Sequence, residues 1–294
     1  LAHGALNPWT GVTDLDLATH PGALALTDPE RWPTPEGVAV LPSPEMAHQD
    51  WPLINRVGCE SADPLQDEPA LCVLGDPGGE TTVAFVGSSH AMNFALPVDL
   101  AAERSGIRVE GYFKQACPLT AEHLGGSPQQ ISCERWNERV MEILLTSVDI
   151  NAVLTVGTRS GLGVESATDG DYIPEGYANV WRFLMDSGVP VIAIRDNPTF
   201  PFDARACVET KGVASASCTV DREELLGANP LLEWEGEELF HGLDLTSSFC
   251  DSTLCTPVIG NVLAYVDAGH LTATFAPTLT ASLAGERETV SWWP

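Results

Sequence analysis

The sequence is poor in lysine, with only Lys114 and Lys211 among its 294 residues. Lysine and arginine together number 14, against 41 aspartates and glutamates, so the net charge is −27 at pH 7. A protein that binds a nucleic-acid backbone needs clustered cations to neutralise the phosphates. The composition therefore predicts no nucleic acid among the partners.

Long apolar runs are also lacking. A membrane-spanning helix takes about 20 consecutive apolar residues, and no stretch of this sequence is that long. The residues that follow Leu1 do not have the charged and apolar regions of a signal peptide. We expect the chain to be a mature or excised soluble piece of a larger protein.

The sequence also lacks the residue spacing of a zinc site, because it has no Cys-x-x-Cys pair and no histidine placed to complete a tetrahedral set of ligands. The eight cysteines instead lie close to one another in successive pairs. Disulfides are therefore favoured over zinc, and they imply an oxidising compartment outside the cytoplasm. We predict no metal, no cofactor, and these bonds: Cys59 with Cys72, Cys117 with Cys133, Cys207 with Cys218, and Cys250 with Cys255.

Apolar runs alternate with helix-forming stretches, which is typical of a parallel sheet with helices on both faces. The pattern predicts strands at 83–86, 107–113, 152–156, 189–194 and 241–246. It predicts helices at 91–105, 134–146, 177–187, 221–226 and 271–283. The expected fold is α/β: a three-layer α/β/α sandwich with a mainly parallel sheet of about five strands.

The length is sufficient for one main domain. Residues 1–58 are rich in proline and tryptophan without a sustained period, which predicts an extended lead-in that packs on the domain. Residues 59–294 are expected to form the domain itself. It would begin with a disulfide loop at 59–80 and carry an irregular insertion at about 199–240.

A predicted strand, turn and helix meet at Gly87-Ser88-Ser89-His90-Ala91. In an open α/β sheet such a turn lies at the carboxyl end of a strand, where ligands bind, beside the N–H groups of a helix start. A serine in this position can act as a nucleophile. A serine that only caps the helix is the alternative, and the turn by itself leaves it open.

Asp267 and His270 supply the two groups that a nucleophilic serine requires. A base must take the hydroxyl proton, and an acceptor must hold the second ring nitrogen of that base. No other histidine of the chain has an aspartate three positions earlier. The two motifs together therefore predict a catalytic serine.

The serine motif Gly87-Ser88-Ser89-His90-Ala91 and the segment from Asp267 to Thr272 resemble the SGNH (GDSL-like) hydrolase superfamily. Two further motifs, His20-Pro21-Gly22-Ala23 and Cys117-Pro118, narrow the resemblance to the extracytoplasmic SGNH domain at the C-terminus of membrane proteins of acyltransferase family 3. The similarity covers roughly residues 15–285. It implies the flavodoxin-like fold of SGNH hydrolases.

The resemblance also implies roles for individual residues. Ser89 matches the serine of the family's Gly-Asp-Ser-His and would be the nucleophile, with His270 as its base and Asp267 as the acceptor. Ser88 stands where the family usually has aspartate. His90 belongs to the motif, and its role remains open between a structural and a catalytic one.

The superfamily completes its oxyanion hole with a glycine after the second strand and an asparagine after the third, and neither is evident here. The N–H of Ser89 is the expected donor, with Thr158 or Arg159 as replacements for the others. A surface ion pair is the alternative role for Arg159.

The resemblance implies O-acyltransfer, and specifically O-acetylation, of a cell-envelope carbohydrate or glycolipid. A membrane acyltransferase domain of the same protein would deliver the acyl donor, and transmembrane helices absent from this chain would tether it at the outer face of the membrane or in the periplasm. A secreted carbohydrate esterase with the same triad is the alternative. A non-catalytic glycan-binding module is a further one, favoured by the missing asparagine and opposed by the intact serine, aspartate and histidine.

Overall fold

The computed structural model describes residues 15–52, 54, 59, 63–162 and 170–287. Residues 1–14, 53 and 55–58 of the predicted lead-in, 60–62 of the predicted disulfide loop and 288–294 at the predicted domain end lie outside the described residues. The strands are β1 Leu71–Gly75, β2 Thr81–Gly87, β3 Ile107–Phe113, β4 Ile150–Val156, β5 Arg159–Ser160, β6 Asp171–Tyr172, β7 Val191–Ile194, β8 Val220–Asp221, β9 Phe240–Leu243, β10 Leu254–Cys255, β11 Val258–Ile259 and β12 Val262–Leu263. The α-helices are α1 Leu24–Thr27, α2 Ser89–Asn93, α3 Ala95–Arg104, α4 Pro128–Thr146, α5 Glu175–Asp186, α6 Ala204–Lys211, α7 Arg222–Leu226 and α8 Thr280–Arg287.

Six strands form the central sheet in the order β1-β3-β2-β4-β7-β9. All neighbours in it pair in parallel except β1, which is antiparallel to β3. The mainly parallel sheet is thus confirmed, with six strands where about five were expected. Strand β1 lies inside the predicted disulfide loop, and its exposed Leu71 and Val73 alternate with buried Cys72 and Leu74, as in an edge strand covered on one face.

Both faces of the sheet are covered by helices. Alternate residues of a strand point to opposite faces, so Phe85 and Val86 of β2 belong to different apolar layers. The Phe85 layer includes residues of α3 and α8, whereas the Val86 layer includes Trp136 of α4 and Trp181 of α5. The three-layer α/β/α sandwich is therefore confirmed.

Local sequence fixes the ends of α4 and α5. Ser127 and Gln130 form a reciprocal capping box, so α4 begins earlier than the predicted residue 134. Helix α5 ends at Asp186, and Gly188 follows its C-cap residue with a φ of +82°, which favours glycine. Val189 donates its N–H to Leu184 O at 2.9 Å. The predicted stop at Gly188 is what the structure shows.

Two predictions for the second half of the chain are corrected. The insertion at 199–240 is not irregular throughout, because Asp203 accepts the N–H of Ala206 and starts helix α6. The last helix does not begin at 271. Pro277, which has no N–H, instead lies in the first turn of a 3₁₀ segment, Ala276–Leu279, and α8 follows that segment.

The described part of the lead-in packs against the C-terminal third of the chain. Ala23 donates its N–H to the hydroxyl of Thr278, and Leu41 accepts the N–H of Leu263. Near its end, the carboxylate of Asp50 accepts the N–H of Thr274 at 2.9 Å. These contacts bring the lead-in beside the Asp267–His270 turn.

The structure contains the four disulfide bonds that sequence proximity predicts. Disulfides at this density are typical of proteins that fold outside the cytoplasm. None of the helices in the described ranges is long and apolar enough to cross a bilayer.

Candidate active site

Ser89 is the first residue of α2 and directly follows the end of β2 through Ser88. Ser88 has the extended backbone of an N-cap residue, but its side chain makes no capping hydrogen bond. A Cβ at Gly87 would lie 2.6 Å from the Cβ of Ala91, so glycine permits the tight approach of α2 to β2. The turn thereby places the Ser89 hydroxyl at the carboxyl edge of the sheet.

Three side chains that the sequence singles out are brought together there. His270 Nε2 lies 2.9 Å from Ser89 Oγ, and His270 Nδ1 lies 2.8 Å from Asp267 Oδ2. A carboxylate can only accept, so the neutral ring carries its proton on Nδ1 and its Nε2 accepts from the serine hydroxyl. The three side chains form one hydrogen-bonded series from the serine hydroxyl through the imidazole ring to the carboxylate.

Asp267 is held in the ionised form. Burial raises its pKa, but the hydrogen bond from the His270 ring and those from the N–H groups of Gly269 and His270 outweigh burial and lower the pKa to about 2. The two backbone bonds, at 2.9 and 2.8 Å, also fix the carboxylate in the turn. The ring of His270 therefore faces a carboxylate charge across the whole neutral pH range.

Two buried asparagines, Asn93 and Asn197, connect the Asp267–His270 turn to α2 by hydrogen bonds. Asn197, which follows β7, donates to Gly269 O at 2.8 Å and accepts from the amide of Asn93 at 3.0 Å. Asn93 Oδ1 in turn accepts the N–H of Leu271. This network couples the position of His270 to the helix that carries Ser89.

A cavity of about 440 Å³ opens beside Ser89. The loops that follow β2, β3, β4 and β7 all contribute to it, as expected at the carboxyl ends of parallel strands. Its lining includes Ser88, Ser89, His90, Ala116, Pro118, Leu124, Gln130, Thr158, Arg159, Ser160, Tyr177, Asp196 and Thr199. Its walls combine hydroxyl, amide and charged groups with apolar ones.

Thr158 and Arg159, the predicted replacement oxyanion donors, both line the cavity, but Thr158 is buried and Arg159 is exposed. The Thr158 hydroxyl is buried and accepts the N–H of Asp196 at 2.9 Å, and the Asp171 carboxylate is a competing acceptor for its proton. Arg159 is exposed at the cavity, and no carboxylate of the described residues forms an ion pair with it. The ion-pair alternative for Arg159 is therefore not seen in the described part of the chain.

Ala116 lies in the loop after β3, where the superfamily has a glycine. Its φ of +52° is in the left-handed region that favours glycine, and the residue lines the cavity. Sequence reasoning missed it, because an alanine gives no signal of such a backbone conformation.

His90 and Trp51 flank the ring of His270. His90 Nδ1 lies 2.7 Å from Asp196 Oδ2, and its ring centroid is 5.0 Å from that of His270. Trp51, from the lead-in, lies at 5.3 Å from His270 and donates its indole N–H to His48 O. Asp196 and Trp51 were not predicted; the position of Asp196 at the carboxyl end of the fourth predicted strand was the signal that could have found it.

A half-buried serine, bonded to a histidine that an aspartate orients, at the carboxyl edge of an α/β/α sheet, is the arrangement of serine esterases and acyltransferases. Residues 58–284 match the family described as the SGNH domain (fused to AT3 domains). The chain therefore belongs to the SGNH domain family and to the acyltransferase and esterase class.

A solved structure shares the fold. It is the periplasmic domain of a lipopolysaccharide acetyltransferase from Salmonella ser. Paratyphi A, with 16% sequence identity and a TM-score of 0.50. The alignment covers 71% of this chain and 84% of that one. A comparison with curated protein sequences finds no match.

Proposed function

We propose that this chain is the SGNH part of an O-acyltransferase, specifically an O-acetyltransferase, that modifies a carbohydrate or glycolipid of the cell envelope through an ester on Ser89. The observation that carries the proposal is the hydrogen-bonded series Ser89, His270 and Asp267 at the edge of a cavity. The family is described as fused to AT3 domains, and this fusion supports the acyltransferase hypothesis over the esterase hypothesis.

In the first half-reaction, Ser89 Oγ attacks the carbonyl carbon of the acyl donor while His270 Nε2 takes the hydroxyl proton. Asp267 orients the ring and stabilises the imidazolium that forms. The tetrahedral adduct then collapses, and the leaving group departs with the proton from His270. The products are the acyl–Ser89 ester and the deacylated donor.

The oxyanion of the adduct needs donors close to the serine. We assign the N–H of Ser89, at the start of α2, and the N–H of Ala116 as the two backbone donors. The side chain of Arg159 is the third, because its guanidinium is exposed at the same cavity. Donors of this kind are typically worth about 10²- to 10³-fold each in rate.

In the second half-reaction, an acceptor hydroxyl gives its proton to His270 and its oxygen attacks the acyl carbon. The bond between the acyl carbon and Ser89 Oγ then breaks, and His270 returns the proton to Oγ, which restores Ser89 and leaves an O-acylated acceptor. The acyl donor reaches the site from a membrane acyltransferase domain of the same protein. The site then works at the outer face of the membrane or in the periplasm, where the four disulfides are stable.

A carbohydrate esterase is the second candidate. It is favoured by the completeness of the serine, histidine and aspartate series within this chain, since hydrolysis needs nothing beyond water as acceptor. The glycan-binding module does not account for that series.

The lead-in and the SGNH domain form one functional unit in this proposal, because Trp51 contacts the ring of His270. Residues 59–294 hold the nucleophile and its base, and the insertion at about 199–240 borders them from the side of Thr199.

Hydrolysis of p-nitrophenyl acetate by the purified chain tests the proposal. Ser89→Ala should abolish turnover, and Ser88→Ala, the neighbouring serine of the same cavity, should retain it. Addition of soluble envelope glycans should accelerate release of p-nitrophenol if the chain is a transferase. An active Ser89→Ala variant contradicts the nucleophile, and rapid deacetylation of acetylated glycans with no acceptor effect favours the esterase.

A further inference from the structure

A second histidine–aspartate pair lies beside the first. His90 is the residue after Ser89 in α2, and Asp196 follows β7; their 2.7 Å contact is an ion-pair contact. Within the described residues, His90 Nδ1 has no other polar partner. The Asp196 side chain is 8% exposed, so its charge is shielded from water.

Asp196 is built into the site. Its N–H donates to the Thr158 hydroxyl at 2.9 Å, and its Oδ1 accepts the N–H of Asn197 at 2.9 Å. The remaining oxygen, Oδ2, faces His90. A buried carboxylate in a fixed position is costly unless a cation or several donors offset its charge.

Four charged or titratable groups act on His90 from the elements around it. They are Asp196 after β7, Asp267 and His270 in the turn before the last helix, and Arg159 of β5. Burial lowers the pKa of His90, but the charge and hydrogen bond of Asp196 and the charge of Asp267 outweigh burial and the opposing charge of Arg159. The pKa is raised, which favours the cation.

We propose that His90 is a positioning residue for His270: as the cation of the His90–Asp196 pair it cancels the buried Asp196 charge next to the base. The effect of His90 on catalysis rests on the proposed function, whereas the effect of its charge on the His270 ring, here called the charge coupling, does not. With the pair neutral, only Asp267 acts on His270 as an uncompensated carboxylate. The cationic His90 thereby offsets the second carboxylate charge beside the His270 ring, whose centroid is 5.0 Å from that of His90.

The test is histidine NMR on the whole chain, which needs no substrate. His90→Gln removes the cation and leaves Asp196 charged, so the titration midpoint of the His270 ring should move up by about one pH unit, as expected for one added charge several ångströms away. The double variant His90→Gln/Asp196→Asn has no charge in the pair and should return the midpoint to that of the unmodified chain. His123→Gln is the matched control, because His123 pairs with Glu134 at 2.9 Å on an exposed surface.

The acid limb of kcat/KM for p-nitrophenyl acetate should follow the same pattern. A midpoint that does not move in His90→Gln, or that the double variant fails to restore, overturns the proposal and leaves His90 a structural residue. Circular dichroism checks the fold, and His90→Asn replaces His90→Gln if the latter does not fold. If the His270 midpoint moves as expected in His90→Gln but the Ser89→Ala variant is still active, the charge coupling is upheld and the proposed function is rejected.

Discussion

Replacing Asp267 by asparagine should inactivate the site while leaving its shape intact. The carboxylate accepts three hydrogen bonds, from the His270 ring at 2.8 Å and from the N–H groups of Gly269 and His270 at 2.9 and 2.8 Å. An amide oxygen can keep the two backbone bonds. The amide nitrogen, however, donates to His270 Nδ1 and forces the ring proton onto Nε2, which then cannot accept from Ser89.

The wrong tautomer removes the base, and the expected loss in kcat is about 10³- to 10⁴-fold, as for other serine triads in which this aspartate becomes asparagine. The assay is hydrolysis of p-nitrophenyl acetate near pH 8. Asp251→Asn is the control, because Asp251 also accepts backbone N–H groups in a turn, from Thr253 and Leu254, and no histidine in the described ranges bonds to its carboxylate. A folded Asp267→Asn variant within tenfold of the unmodified activity would refute the reasoning.

The same substitution should also change how stability depends on pH. The folded pKa of Asp267, about 2, is below the ordinary value of 3.8, so the ionised group stabilises the fold above the ordinary value and loses that effect as pH falls toward 2. The side chain is 37% exposed, and solvent screening reduces the contribution to about 1 kcal/mol. The difference in Tm between the two proteins should therefore be largest above pH 5 and vanish near pH 2; a difference that grows on acidification would contradict this sign.

Two further substitutions test how the fold supports the site. Gly87→Ala should lower activity at least tenfold, because the new Cβ would lie 2.6 Å from that of Ala91 and displace α2. Gly126→Ala is the control and should be active, because no atom lies within 4 Å of its new Cβ. Equal activities of the two variants would contradict the packing argument. Replacing Cys117 and Cys133 by serine should lower the free energy of unfolding by roughly 3 kcal/mol, because their bond closes a loop with a sequence separation of 16. A urea titration measures this change, and an unchanged midpoint would contradict the stabilising role of the bond. In the unmodified chain, thiol titration under denaturing, non-reducing conditions should find no free cysteine, and four or more would contradict the four bonds.

The sequence was sufficient to predict most of the sheet and the three side chains at its edge. Strand β3 occupies the predicted residues 107–113, where buried Ile107 and Val109 alternate with the half-buried Arg108 and Glu110, the period of a strand. Ser89, Asp267 and His270 could be found because each motif is local: a strand–turn–helix junction in one case and a spacing of three residues in the other.

Other features depend on neighbours that lie far away in the chain. Strand β1 is a short run inside the predicted disulfide loop, and it forms the edge of the sheet by pairing with β3, which follows α3 in the chain. Asp196 meets His90 only because β4 and then β7 follow β2 in the sheet, an order that no local pattern reveals. Thr158 was selected by its position after β4, but the use of its hydroxyl is decided by Asp171 and the backbone of Asp196.

The central claim is that Ser89 carries the acyl group, and peptide mapping by mass spectrometry tests it most directly. The chain is mixed with excess p-nitrophenyl acetate, quenched in acid within the first turnovers and digested. We expect an acetyl ester on Ser89 that is absent from the Ser89→Ala and Asp267→Asn variants. Acetylation of Ser88 instead, or turnover with no acetylated serine in the quenched chain, would contradict it.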